Sequence, residues 1–323
     1  MTWSKTILTI LCSILTLPVF SWGFFGHRLI NRYAVFLLPP EMLVLYKPHI
    51  YFLSEHAVDP DKRRYIIREE GARHYIDIDR YGKAPYPLLP RDWKEAVALY
   101  SEDTLQAHGI VPWWIEVMMR RLTAAFKEGN QAKILKLSAE IGHYISDAHV
   151  PLHASSNHNG QLTNQQGIHG LWESRAPELL AEKEWDFLIG RADYIPNTSQ
   201  FAWSRVLESA AAADSVLTLE KKLSDRFPAD QKYAFESRNG AIIKQYSSRY
   251  TIMYNHLLNS MAERRFRQSV YATASYWYTA WVNAGQPDLS KLDHAGFSDA
   301  ETKEFEELNL LWRQEKIKGR SCD

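Results

Sequence analysis

Apolar residues recur at every third or fourth position along most of the chain, which is the spacing of one buried face of an α-helix. Three stretches keep this period over many turns, at 112–150, 195–227 and 241–285. Gly129 and Asn130 interrupt the first stretch and predict two consecutive helices there. No stretch shows the sustained alternation that is typical of a β-strand. The pattern therefore predicts an all-α fold.

Turn-forming residues separate the helical stretches at 77–93 and 154–167, and both segments are predicted to be loops. No linker rich in Gly, Ser or Pro divides the chain. A chain of 323 residues is long enough to bury one large core. We therefore expect a single multi-helix domain over residues 22–323, with a loosely attached tail from about residue 300.

The N-terminus has the features of a secretory signal peptide over residues 1–21. Lys5 supplies the positive charge, an apolar run occupies 6–20, and Ser21 is the small residue before the expected cut. The run is short for a membrane-spanning helix, which needs about 20 apolar residues, and an uncleaved anchor is the alternative. Cleavage would make Trp22 the first residue, and we expect the mature protein to be secreted or periplasmic.

Charge and cysteine content bound the function further. The 38 Lys and Arg residues balance 38 Asp and Glu residues, so the broad basic face of an electrostatic nucleic-acid binder is not expected. No amphipathic basic helix marks membrane docking. Cys12 lies in the signal segment and Cys322 in the tail, so no disulfide is expected. An exported protein of this kind must be held by its core or by metal.

Histidine and carboxylate residues concentrate in the passage 143–173. It contains two pairs at a spacing of four residues, with a third histidine between them: His143 and Asp147, His169 and Glu173, and His153. Residues four apart share one face of a helix, so each pair can direct an imidazole and a carboxylate at a common point. Zinc accepts imidazole nitrogen and carboxylate oxygen at about 2.0–2.2 Å. The passage therefore predicts a metal site.

Residues upstream of this passage supply further candidate ligands. Taken alone, Asp59 and His74 favour a solvated turn and an ordinary partly buried histidine, but together with the downstream cluster they are expected to be two more ligands. Asp77, close to His74, is the competing carboxylate. After cleavage Trp22 would offer its α-amine, whose ordinary pKa is about 7.7–8.0, together with its carbonyl oxygen. A metal ion can displace the proton of such an amine, and His27 would add an imidazole.

These nine residues resemble, in order, the ligand set of the zinc-dependent phospholipases C and the single-strand-specific nucleases, one superfamily with three clustered zinc ions. The residues are Trp22, His27, Asp59, His74, His143, Asp147, His153, His169 and Glu173. The resemblance spans about half of the expected mature chain. It implies an all-α fold of that type around a three-zinc cluster, and a catalytic role for Asp59 in orienting the nucleophile.

The resemblance also implies a ligand set for each zinc ion. The first would be held by Asp59, His74, His143 and Asp147, the second by Trp22, His27 and Asp147, and the third by His153, His169 and Glu173. Asp147 would then bridge two of the zinc ions.

The resemblance implies an exported zinc-dependent hydrolase that cleaves phosphate esters with a metal-activated hydroxide. The chain is similar to the nucleases in the spacing from Asp59 to His74, and to the bacterial phospholipases in its last ligand, Glu173. Phe25 and Pro60 stand where the phospholipases carry residues that hold choline. We expect a phospholipid headgroup, a single-stranded nucleic acid or a nucleotide as substrate, and a monomer without an obligate protein partner. The alternative is a zinc-binding envelope protein without catalytic turnover.

The sequence leaves the roles of several neighbouring residues open. Lys62 or Arg63 would either add positive charge at the phosphate or lie in a solvated turn. The remaining residues would either support the ligands through hydrogen bonds or face solvent. They are His149, Asn157, His158 and Arg175.

Overall fold

Helices form nearly all of the regular structure in the described part of the chain, residues 23–238, 241–292, 296–314 and 317–318 of this computed structural model. The α-helices are α1 Gly23–Val35, α2 Pro40–Tyr46, α3 Ile50–Glu55, α4 Asp59–Arg63, α5 Trp93–Tyr100, α6 Glu102–His108, α7 Val111–Glu128, α8 Gln131–Asp147, α9 Ile168–Gly170, α10 Ala176–Glu184, α11 Thr198–Ser224, α12 Ser248–Leu257, α13 Met261–Asn283 and α14 Asp299–Leu311, and the strands are β1 Tyr233–Arg238 and β2 Ala241–Tyr246. Short 3-10 helices lie at His56–Val58, Arg68–His74, Ile78–Tyr81, Pro151–Ala154, Ala229–Gln231 and Leu289–Lys291, and a π-helical turn lies at Leu171–Arg175. The predicted all-α fold is confirmed.

Three of the sequence-based predictions fall outside the described residues. They concern the signal segment at 1–21, the ligand Trp22 and the tail cysteine Cys322. Among the residues that the structure does describe, no helix is both long enough and apolar enough to cross a membrane.

The break between α7 and α8 follows from the local sequence. Gly129 adopts a φ of +67°, a left-handed conformation that disfavours residues with a Cβ, and α7 ends there. The side chain of Asn130 accepts a hydrogen bond from the backbone N–H of Lys133 and caps the start of α8. The break predicted at these two residues is confirmed. The long helix predicted within 195–227 is α11.

α13 packs against α1, α7 and α8, and these helices enclose much of a continuous hydrophobic core. Gly142 on α8 permits a close approach of α1, because a Cβ at this position would lie 2.1 Å from Asn31 Oδ1. The Asn31 amide donates hydrogen bonds to the carbonyl oxygens of Leu53 and Ala139, at 3.0 and 2.9 Å. These contacts fix α1, which carries His27, against the helix at the centre of the candidate site.

The structure differs from the sequence analysis at 233–246, where an antiparallel hairpin replaces the start of a predicted helix. β1 and β2 pair in a register that sets Phe235 opposite Lys244. The sequence carries an Asn-Gly pair at 239–240, which is typical of a two-residue hairpin turn. Periodicity alone does not separate a helix from a strand over six residues. The helical prediction is therefore wrong for β2, whereas α12 and α13 account for the rest of that stretch.

The described part of the C-terminal tail contacts segments that carry the candidate site. α14 packs against α4. The ring of Trp312 lies 5.1 Å from the ring of Phe24 at the start of α1. The backbone N–H of Lys318 donates a hydrogen bond to the carbonyl oxygen of Arg64, at 2.9 Å. The described C-terminal residues therefore contact both the start of α1 and the end of α4.

Candidate metal centre

Buried imidazole and carboxylate groups from separate segments of the chain meet in one cluster. They are His27 on α1, Asp61 on α4, His74 at the end of a 3-10 helix, His143 and Asp147 on α8, His153 in the 3-10 helix after α8, His169 on α9, and Glu173 in the π-helical turn. None of these residues exposes more than 2% of its surface. Within the described chain, three sets have donor atoms that all lie within 4.8 Å of one another: His27, Asp61 and His143; His74, His143 and Asp147; and His153, His169 and Glu173. These buried groups could bind metal ions.

Asp147 lies at the centre of the cluster and presents one oxygen to each side. Its Oδ2 is 3.0 Å from His74 Nδ1 and 3.3 Å from His143 Nε2. Its Oδ1 is 3.5 Å from His27 Nε2 and 3.8 Å from His153 Nδ1. A carboxylate with its two oxygens turned in two directions can contact two cations at once.

Backbone carbonyl groups fix the orientation of imidazole rings in the cluster. His143 Nδ1 donates a hydrogen bond to the carbonyl oxygen of Ala57 at 2.8 Å, and His169 Nδ1 donates to that of His158 at 2.9 Å. Because a carbonyl oxygen only accepts hydrogen bonds, the nitrogen that faces it carries the proton. The neutral ring then keeps a lone pair on Nε2, directed into the cluster. This is the arrangement of a metal-binding histidine.

His27 reaches the same orientation through a serine. The hydroxyl of Ser146 donates a hydrogen bond to the carbonyl oxygen of His143 at 2.7 Å, so its oxygen accepts one from His27 Nδ1 at 2.8 Å. His27 Nε2 therefore carries the lone pair, and it has no hydrogen-bond partner among the described residues. Ser146 on α8 therefore directs the lone pair of His27 into the cluster.

His153, His169 and Glu173 have the spacing of ligands in a tetrahedral metal site. His153 Nε2 lies 3.1 Å from His169 Nε2, and the Glu173 oxygens lie 2.9 Å from His169 Nε2 and 3.4 Å from His153 Nε2. The Nδ1 atoms of both rings face carbonyl oxygens, so two Nε2 lone pairs face each other and repel unless a cation lies near. Ligands about 2.0–2.2 Å from zinc at tetrahedral angles are themselves about 3.3 Å apart. The observed distances fit that geometry.

The cluster attracts positive charge. Burial favours the neutral form of His143, but the carboxylates of Asp147 and Asp61 outweigh burial and raise its pKa to about 9. Burial and the neighbouring His143 hold the pKa of His27 well below its ordinary value. Burial alone would raise the pKa of Asp147, but the charges of His143 and His153 hold this pKa well below its usual range. A metal ion would replace a proton at this site, since both need the same lone pairs.

Asp59, which the sequence analysis expected to bind metal and to act in catalysis, does not lie in the cluster. Its oxygens are 2.6 Å from His56 Nδ1 and 2.9 Å from Lys62 Nζ. Successive helical residues are rotated by about 100°, so residues two apart on α4 point in nearly opposite directions. The placement of Asp59 as a ligand is therefore corrected. Asp77, the competing carboxylate, is also outside the three sets of donor atoms.

Asp61 occupies the position that the sequence analysis gave to Asp59. Its Oδ1 is 3.7 Å from His143 Nε2 and 3.8 Å from His74 Nδ1. Neither carboxylate oxygen has a hydrogen-bond partner among the described residues, and Arg64 Nη1 approaches only to 3.5 Å. A buried carboxylate without hydrogen bonds is costly unless a cation balances it. Asp61 therefore has the surroundings of a metal ligand.

Glu70 is a buried carboxylate beside the cluster that the sequence analysis did not single out. Its Oε1 lies 3.6 Å from His74 Nε2, on the side of the ring that faces away from Asp147. Arg73 Nη1 is 2.5 Å from Glu70 Oε2, and the hydroxyl of Tyr144 also donates to this carboxylate. His74 Nε2 has no hydrogen-bond partner among the described residues, so Glu70 faces the ring by charge and not through a hydrogen bond. The sequence signal was the four-residue spacing from Glu70 to His74.

The basic residues Lys62 and Arg63 pair with carboxylates outside the three sets of donor atoms. Lys62 pairs with Asp59, and Arg63 pairs with Glu140 and lies 3.5 Å from Glu70. A contribution of either side chain at a phosphate group stays a prediction.

The other candidates from the passage 143–173 support the cluster from outside. His149 Nδ1 donates to a backbone carbonyl one turn earlier on α8. His158 supplies the carbonyl oxygen that orients His169. The Asn157 amide donates to the hydroxyl of Thr163 at 3.1 Å, within the loop that leads to α9. These residues organise the segments that carry the ligands.

Comparison with known proteins does not identify a family for this chain. No family model matches the chain, and no curated protein matches it. Seven of the nine ligands expected from the sequence meet in the cluster, Asp59 does not, and Trp22 lies outside the described residues.

We expect removal of metal to lower thermal stability. The ligands come from separate helices, and a metal that binds only the folded state stabilises it by about 4 kcal/mol when it is present at a thousandfold excess over its Kd. Melting curves recorded with zinc and with EDTA should differ by at least about 5 °C. Identical curves for a protein that contains zinc before chelation would contradict metal binding at the cluster.

Proposed function

We propose that this protein is an exported, zinc-dependent hydrolase of phosphate esters, with three zinc ions held around Asp147. The observation that carries the proposal is the meeting of three sets of buried donor atoms, two of which share His143. Adjacent sites built from imidazole and carboxylate without cysteine are typical of hydrolytic centres. The signal-peptide pattern at 1–21 supports export.

The donor set favours zinc over the hard cations. Magnesium and calcium prefer shells of oxygen ligands, whereas imidazole nitrogen suits zinc. The set of His153, His169 and Glu173 supplies three protein ligands. Catalytic zinc sites use three protein ligands and keep a fourth position for water or substrate. This set therefore has the composition of a catalytic site.

The chain contributes charge and orientation to the proposed reaction. Zinc, when bound, supplies Lewis acidity and a water that ionises near neutral pH. Asp61, Asp147 and Glu173 bring three negative charges against the six positive charges of three Zn²⁺ ions. The net charge of about +3 suits a phosphate group and the charge that develops on it in the transition state.

Asp61 takes the catalytic role that the sequence analysis gave to Asp59. Its carboxylate lies at the edge of the cluster between His74 and His143, and no described hydrogen bond holds either oxygen. In the proposed reaction it would orient the attacking water and accept its proton. Glu70 lies 3.6 Å from the other nitrogen of the His74 ring, whose Nδ1 faces Asp147.

A zinc-binding envelope protein without turnover is the second candidate. The observation that favours it is burial, because no side chain of the cluster exposes more than 2% of its surface. A buried site can retain metal without admitting a large substrate. The two candidates differ in turnover and not in metal content.

The zinc-loaded mature protein is expected to hydrolyse bis(p-nitrophenyl) phosphate, measured as the release of p-nitrophenolate. Dialysis against a chelator should abolish the turnover, and added zinc should restore it. A protein that retains its zinc and shows no turnover would support the second candidate. A panel of single-stranded DNA and RNA, 3′-nucleotides and phospholipids would then identify the natural substrate class.

A further inference from the structure

The hairpin exposes large apolar side chains on one face. Phe235 on β1 is 76% exposed and Ile242 on β2 is 75% exposed. Phe235 stands opposite Lys244, so Ile242 is its diagonal neighbour on the same face of the ribbon. Tyr233 adds a third apolar side chain, 37% exposed. Single exposed apolar residues are common on protein surfaces, but adjacent ones at the free face of a hairpin mark an interaction surface.

The hairpin is fixed to the segment that carries the metal ligand Glu173. Arg175, two residues further along the π-helical turn, donates from Nε to the carbonyl oxygen of Tyr246 at 3.1 Å. Its Nη2 donates to Glu236 Oε1 at 2.6 Å and to Ser248 Oγ at 3.2 Å. Arg175 therefore joins the base of the hairpin to the edge of the metal cluster. A surface bound by the hairpin would lie beside that cluster.

The stretch of sequence that contains the hairpin is basic, although the chain as a whole is neutral. Residues 220–249 contain seven Lys or Arg residues and four Asp or Glu residues, so their net charge is +3, whereas the whole chain has a net charge of +0. Lys244 lies on the same exposed face as Phe235, and Arg249 follows directly after the hairpin. Exposed apolar side chains with a lysine on the same face suit a surface that has an apolar interior and anionic groups outside.

We propose that the exposed face of this hairpin docks on an anionic phospholipid surface and holds the metal cluster against it. This proposal rests on the proposed phosphoesterase function and concerns where the protein docks, not which ester it cleaves. The face suits lipid better than a nucleic-acid strand, which needs open aromatic rings on which bases stack. Phe235 offers one such ring, but Ile242 offers none, and Lys244 Nζ covers the ring of Tyr233 at 4.3 Å from its centre.

Co-sedimentation of the full mature protein with lipid vesicles tests the proposal. Vesicles of equal parts phosphatidylcholine and phosphatidylglycerol should bind the protein, and added salt should weaken the binding. The double variant Phe235→Ser, Ile242→Ser should bind roughly tenfold more weakly or worse, because the exposed apolar side chains enter the interface. Lys244→Gln should bind roughly fivefold more weakly.

Leu188→Ser is the matched control, since Leu188 is an apolar residue outside the hairpin with 87% exposure. This variant should bind vesicles as the natural protein does. All the variants should melt at the natural temperature, because surface substitutions have small effects on stability. They should also hydrolyse bis(p-nitrophenyl) phosphate at the natural rate, since this soluble ester needs no docking.

Vesicle binding and soluble turnover separate the two proposals. If the natural protein binds no vesicles, or the hairpin variants bind as well as it does, the docking surface is wrong, whatever the turnover. If the hairpin variants lose binding to single-stranded DNA rather than to vesicles, the surface serves nucleic acid and the proposal is overturned. If the protein binds vesicles but does not hydrolyse the soluble ester, the docking surface is supported and the phosphoesterase function is overturned.

Discussion

Asp147→Asn is expected to lower the hydrolysis of bis(p-nitrophenyl) phosphate by at least about a hundredfold, and to lower the zinc content of the purified protein. Asp147 presents Oδ2 to His74 and His143, and Oδ1 to His27. The asparagine side chain keeps the shape but removes the negative charge and one oxygen, so two metal positions are weakened together. Steady-state kinetics and metal analysis on one preparation measure both effects.

Two further variants make this result interpretable. Asp214→Asn removes the same charge from an exposed position on α11, and turnover and zinc content should both stay at the natural values. Glu173→Gln should affect chiefly the set that it shares with His153 and His169. Near-normal turnover and zinc content in Asp147→Asn, together with large losses in Glu173→Gln, would show that Asp147 does not hold the cluster together.

Asp61→Asn is expected to reduce turnover by roughly tenfold to a hundredfold, whereas Asp59→Asn should retain most of the turnover of the folded protein. Asp61 lies against His143 and His74, but Asp59 pairs with Lys62 at 2.9 Å. Breaking a buried ion pair destabilises a protein, so the effect of Asp59→Asn should appear in the melting temperature. The same chemical change two residues apart should therefore affect two different properties.

Kinetics, zinc content and thermal melting of the two variants distinguish these roles. A loss of zinc and turnover in Asp59→Asn, with normal values in Asp61→Asn, would return the ligand role to Asp59. Equal losses of zinc and turnover in both variants would contradict the assignment of Asp61, and not Asp59, as the metal ligand.

The central part of the cluster could be predicted from the sequence because its signal is local. His143 and Asp147 share one face of α8 through their four-residue spacing alone, which no packing of other segments changes. The same spacing relates His169 to Glu173. Glu70 and His74 carry it as well, so a search for all carboxylate–histidine pairs at this spacing would have found the support behind His74.

The choice between Asp59 and Asp61 depended on tertiary structure. Both carboxylates lie on α4, and the direction in which this short helix faces is set by its packing against α8 and α14. The sequence gives the angle between the two side chains but not which one points inward. A spacing of fifteen residues from Asp59 to His74 therefore favoured the wrong carboxylate.

The hairpin was missed for a different reason. Its strands are six residues each, and the apolar positions of β2 fit a helical period as well as a strand period. The Asn-Gly pair at 239–240 was the stronger local signal. The interaction surface that we infer could not be found from the sequence, because it depends on which face of the ribbon Arg175 holds against the protein.

The most direct test of the central claim is the zinc content of the mature protein after gentle purification without chelators. Inductively coupled plasma mass spectrometry, normalised to protein by amino-acid analysis, should give close to three zinc ions per chain. The content should fall in Asp147→Asn and stay unchanged in Asp214→Asn. A content of one zinc ion or none in the natural protein, with no uptake when zinc is added back, would contradict the three-zinc centre.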